Sequence, residues 1–112
     1  MTESELYQKH LKPLLRRKGV FFHRIEYSHI PDVYTAKDGQ VLWIELKCVN
    51  RYSKIIRPDW RPGQLAFIKD HRKFGGDIII LCLWYDGNMY FLNPKKEYNN
   101  IELKNKGELN YE

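Results

Sequence analysis

IPDVYTAKDGQVLWIELK, residues 30–47, is the stretch whose reading decides the fold. Asp32-Val33-Tyr34-Thr35-Ala36 is a short β-prone run, and a second runs from 41 to 48. Between them Asp38-Gly39 signals a tight turn, because glycine takes positive φ without steric cost. The stretch therefore predicts a β-hairpin. Side chains alternate between the faces of a strand, so Leu42, Ile44, Leu46 and Cys48 share one side. That side is wholly apolar and should meet the core. Val41, Trp43, Glu45 and Lys47 share the other, where Trp43 suits a sheet covered by a helix better than one open to water.

Hairpin pairing carries Asp32 to the end of its strand away from the turn, where Glu45 and Lys47 also lie. Two carboxylates brought that close repel, and the pair calls for a cation. Oxygen ligands in small number suit Mg²⁺ or Mn²⁺, which also bind substrate phosphate. Lys47 would then orient or activate a water, or steady charge on a phosphate. Taken singly, Asp32 reads as a turn residue after Pro31, and Glu45 and Lys47 read as a solvent-facing pair. Their coincidence at one sheet end favours a site.

Pro31-Asp32 followed by Glu45-Leu46-Lys47 resembles the motif of the PD-(D/E)XK nucleases. From residue 30 to about 92 the order of features is similar to archaeal Holliday-junction resolvases and to small VRR-NUC phage nucleases. The resemblance implies a restriction-endonuclease-like α/β core, a mixed central sheet flanked by helices in the order αβββαβ. It implies a Mg²⁺-dependent DNA nuclease, an endonuclease, with Asp32, Glu45 and the Leu46 carbonyl as metal ligands. It also implies that Gln64, which opens the second helix, reaches the site; the plain alternative is a first-turn polar residue. Such nucleases carry a further Glu on the first helix. Here the matching position, counted back from Gly19, is Gln8. Glu5 is preferred in its place and Glu3 is the alternative, although a capping box accounts for Glu5 by itself. Two decoys lack the hairpin context: Pro58-Asp59 has no acid-x-Lys strand after it, and Ile101-Glu102-Leu103-Lys104 lies in a polar tail.

Outward from the hairpin, residues 2–18 predict a helix. Thr2 and Glu5 have capping-box spacing, and Leu6, Tyr7, Leu11, Leu14 and Leu15 make an apolar stripe. Gly19 suits the stop, and Pro13 is a fault that should kink or divide the helix. Residues 20–27 read as a strand. A polar basic loop leads from Cys48 to Pro58, and Trp60-Arg61-Pro62-Gly63 opens a second helix over 64–74. Residues 77–85 are a near-continuous apolar strand, the mark of burial on both faces. Asp86-Gly87-Asn88 turns it into an edge strand over 89–93. A helix between the third and fourth strands implies a parallel crossover. Residues 1–94 should form the nuclease-like domain, and 95–112 a polar extension of it with little order beyond 101–103.

The chain has 112 residues, enough for one domain, with 43% apolar and 14% aromatic residues to build its core. The net charge of +5 favours an anionic partner, here DNA. Arg24, Arg51, Lys54, Arg57 and Arg61, with Tyr52 and Trp60, are placed to hold phosphates and stack on a splayed base. Cys48 and Cys82 read as reduced core thiols. His10, His23, His29 and His71 lack metal spacing. The acidic start has no apolar segment of a signal peptide, and no run is long enough to span a bilayer, so a soluble cytoplasmic protein is expected. Cutting both strands of a duplex would require two copies, hence a homodimer. The alternatives are a non-catalytic nucleic-acid-binding module and a nuclease subunit that depends on a partner.

Overall fold

The structure, a computed structural model, describes residues 1–27, 30–93, 107 and 109–111. The chain begins with α1 (Glu3–Leu6), a π-helical turn (Tyr7–Leu11) and α2 (Lys12–Arg17). Then follow β1 (Phe21–Arg24), β2 (Val33–Lys37), β3 (Gln40–Val49), α3 (Gln64–Lys73), β4 (Ile78–Tyr85) and β5 (Asn88–Leu92). The five strands form one sheet in sequence order. β3 and β4 are parallel, joined through α3, and every other neighbouring pair is antiparallel. This is the mixed α/β sheet expected from the sequence.

Local chemistry accounts for the element ends. Asp38 and Gly39 take φ of 53° and 79°, the left-handed pair that a two-residue hairpin turn requires. Pro13 has no N–H and its ring would strike the carbonyl four residues back. The helix absorbs it by widening one turn: the Lys12 N–H reaches the Tyr7 carbonyl, five residues back, and Pro13 falls in the first turn of α2. The expected division is thus a π-helical turn between two α-helical pieces.

Both faces of the sheet are covered. On one, Leu42, Ile44 and Leu46 of β3 meet Leu6, Leu11 and Leu15 of the N-terminal helix, with Ile80 and Cys82 of β4. Leu6, Leu11 and Leu15 have no exposed surface, and each contributes about 1.5–3 kcal/mol of burial. On the other, Trp43 and Val49 join Ile56, Ile68, Ile79, Leu81 and Leu83 beneath α3. Trp43 is therefore covered by a helix, as its position among charged residues suggested. Cys48 and Cys82 are free thiols, and burial pushes Cys48 up to about 11, so both stay protonated core groups.

Two described residues of the C-terminal stretch, Leu109 and Tyr111, pack on the fold, which its polar composition did not predict. Leu109 lies in the first core, its carbonyl accepts from Lys18 Nζ at 3.3 Å, and the Tyr111 hydroxyl is 2.6 Å from Thr35 Oγ1. The expectation for residues 101–103 lies outside the described residues.

Candidate active site

Backbone pairing places the two acids. The register sets Val33 opposite Ile44, so Asp32 faces Glu45 one step beyond. The Leu46 N–H turns toward β2, which makes its neighbour Glu45 a non-hydrogen-bonded position, where opposed side chains approach most closely. Pro31 stands opposite Leu46 and has no N–H. Asp32 fills the gap: its Oδ2 accepts the Leu46 N–H at 2.8 Å. The Leu46 carbonyl faces the same edge, where proline has no donor to offer, as a metal ligand there would need.

Glu45 is almost wholly buried at 1% exposure, and its carboxyl shares a hydrogen bond with Asp32. Burial, then the Asp32 charge, pushes its pKa from 4.5 up to about 9, against the opposing pull of Lys47. At neutral pH the pair without a cation therefore holds a proton. Gln64, at the start of α3, bridges the site: its Nε2 donates to Glu45 Oε1 at 3.0 Å, and its Oε1 accepts from Lys47 Nζ at 2.8 Å. The Arg61 N–H also donates to that oxygen at 2.8 Å, fixing the amide orientation.

Lys47 is not at an open strand end. It is 1% exposed, with Nζ donating to the Asp59 carbonyl at 2.8 Å as well as to Gln64. Nζ also lies 5.0 Å from the centre of the Trp60 ring. An ammonium has three protons, so these two hydrogen bonds leave one for a water or a phosphate oxygen. Pro58-Asp59, a decoy as a motif, thus contributes a backbone acceptor.

Of the two helix candidates it is Glu3, not the preferred Glu5, that the fold brings to the two acids. Carboxylate oxygens of Glu3, Asp32 and Glu45 lie within 4.8 Å of one another. Burial raises the Glu3 carboxyl, while Lys47 lowers it and Asp32 raises it. Glu5 points away: its N–H donates to Thr2 Oγ1 and its Oε1 accepts the Thr2 N–H, both at 3.1 Å, while Oε2 pairs with Lys9. A signal for this lay in the sequence. One turn beyond Glu3 come Leu6 and Tyr7 of the buried stripe, whereas one turn beyond Glu5 come Gln8 and Lys9.

The cationic and aromatic candidates divide into three groups. Arg61 is 3.3 Å from Glu3 at the rim, and the Arg24 guanidinium lies 4.8 Å over the Tyr7 ring with its Nε buried and unpaired among the described residues. Trp60 packs on Lys47 and the α3-side core rather than standing open to a base. Arg51, Tyr52, Lys54 and Arg57 are exposed on the loop after β3.

Three carboxylates, a backbone carbonyl and no soft donor form an all-oxygen set that fits a Mg²⁺-class cation. The cost of ionising Glu45 without one points the same way.

No protein-family model matches the sequence, and no curated protein matches it. Among solved structures, the chain is similar to Hjc, a Holliday junction resolvase of the hyperthermophilic archaeon Archaeoglobus fulgidus. The TM-score is 0.58 at 15% identity, over 84% of this chain and 82% of that one. At that identity the likeness speaks for the fold alone: the chain shares the mixed α/β fold of that structure, the architecture expected from its sequence.

Proposed function

We propose that the protein is a metal-dependent nuclease hydrolysing phosphodiester bonds of DNA, and that it cuts internally at structured or junction DNA. The observation that carries this reading is the convergence of Glu3, Asp32 and Glu45 within 4.8 Å beside a buried, hydrogen-bonded Lys47. Asp32, Glu45, Glu3 and the Leu46 carbonyl hold Mg²⁺ or Mn²⁺. Such a cation, when bound, would supply positive charge to the phosphate in its transition state. Lys47 directs its remaining proton at the attacking water or a phosphate oxygen. Gln64 keeps the Lys47 amine and the Glu45 carboxylate in register, so that a proton and a lone pair stand at fixed places when the phosphate arrives.

The partner is DNA, and two copies acting together serve a substrate with two strands to cut. Among the described residues no helix is long and apolar enough to cross a membrane. The test is incubation of the purified chain with plasmid, linear duplex and four-way-junction DNA in Mg²⁺ and in EDTA. Cleavage in Mg²⁺ alone, lost in Lys47→Met, is the expected result. Binding without cleavage in either condition would leave only a nucleic-acid-binding module.

A further inference from the structure

The loop after β3 presents an aromatic ring that the proposed chemistry does not use. Tyr52 is 80% exposed, yet its position is fixed. The adjacent Ser53 bonds to one buried group through both backbone atoms: its N–H donates to the Tyr85 hydroxyl at 3.0 Å, and that hydroxyl donates to its carbonyl at 2.8 Å. The Tyr52 ring stacks on Tyr85 with centroids 6.1 Å apart and planes 28° from parallel. Further along, Ile56 is buried in the core under α3 and anchors the other end of the loop.

Against this ring opens a cavity of about 300 Å³ at the carboxyl ends of parallel strands β3 and β4, lined by Val49, Arg51, Tyr52, Trp84, Tyr85 and Asp86 among others. Such a crevice outside the carboxyl ends of parallel strands is where open α/β sheets bind ligands. Its volume is at the small end of the range for ligand sites. Val49 lies on the same face of β3 as Lys47, two residues and about 7 Å further along the strand. The cavity thus begins next to the catalytic end of β3.

We infer that this cavity takes one unpaired nucleobase, stacked on Tyr52, with the flanking backbone phosphates on Arg51 and Lys54. The inference rests on the nuclease reading and narrows its substrate to DNA with an unpaired nucleotide next to the cut: a fork, flap, gap or single strand. The chemistry supports a base over other occupants. Any nucleobase offers a π-face to a tyrosine, and cationic side chains on the same loop match phosphates on either side of it. A ring held in place before binding loses little entropy on stacking. Perfect duplex keeps its bases stacked on one another and presents none to the cavity.

The test is binding of the full-length chain in EDTA to fluorescent oligonucleotides, measured by anisotropy: a blunt duplex, the same duplex with a short 2-aminopurine-bearing overhang, and the single strand. The overhang and single strand should bind about tenfold more tightly than blunt duplex, with quenching of 2-aminopurine. Tyr52→Ala should lose about tenfold on those two, within the range for one stacked base, while Tyr52→Phe keeps the preference. Circular dichroism checks the fold of both variants. Equal affinity for all three ligands, or an overhang preference untouched by Tyr52→Ala, overturns the inference while the nuclease reading stands on Mg²⁺-dependent cleavage of the same oligonucleotides. Absence of binding to every ligand overturns the inference, and absence of cleavage of every oligonucleotide in Mg²⁺ overturns the nuclease reading as well.

Discussion

Replacing Glu45 with glutamine should stabilise the metal-free protein at alkaline pH, although it removes a residue from the centre of the site. Glutamine imitates the protonated acid: it can accept from Gln64 Nε2 and donate to Asp32, the two contacts Glu45 now makes. In the folded wild type Glu45 titrates at about 9, against 4.5 when exposed. Between those values the folded state holds a proton that the unfolded state has released. Stability is therefore full below about pH 4.5 and falls as pH rises toward 9. The slope is about 1.4 kcal/mol per pH unit, so moving from pH 5 to pH 8 costs at most about 4 kcal/mol. Since the linkage figure is an upper limit, about 2–4 kcal/mol is expected. Urea unfolding of wild type and Glu45→Gln at pH 5 and pH 8, all in EDTA, gives the difference, since the other titrating groups cancel. Added Mg²⁺ at pH 8 should restore wild type and stabilise the variant much less, because the variant lacks one of the carboxylate ligands. Parallel pH dependence in the two proteins would refute a close, buried carboxylate pair.

Lys47→Ala should abolish cleavage and also destabilise by about 2–4 kcal/mol, since it empties a packed site and removes the lysine donor from the Asp59 carbonyl and Gln64; Lys47→Met should lose cleavage at a smaller cost in the same urea melts. Gln64→Ala should lower kcat more than DNA affinity, and equal losses in both would reduce Gln64 to a structural role. Titration calorimetry with Mn²⁺ should show binding weakened at least about tenfold by Glu3→Gln and unchanged by Glu5→Gln, whose side chain serves the helix cap. Changing Arg51, Lys54 and Arg57 together to alanine should reduce the salt dependence of DNA binding by up to about three units of slope, and an unaltered slope would remove this loop from the phosphate contacts.

Much of this was legible in the chain itself. The period of two in 41–48, the Asp38-Gly39 turn and the apolar run before Asp86 determine local conformation and face, because they depend on neighbours a few residues away. They therefore placed Asp32 opposite Glu45 and Lys47 beside it, and predicted the parallel crossover through α3. What needed the tertiary structure was every distance closed by packing. Whether Glu3 or Glu5 reached the acids depended on how the N-terminal helix sits on the sheet. Lys47 looked exposed because its cover, Trp60 and the Asp59 carbonyl, comes from a loop with no periodic pattern. Leu109 and Tyr111 looked like parts of a loose polar tail, since two apolar residues without a period carry no sign of the core that receives them. Alternation along a strand is set by covalent geometry and can be read locally. Burial of a charge is set by whatever the chain folds over it.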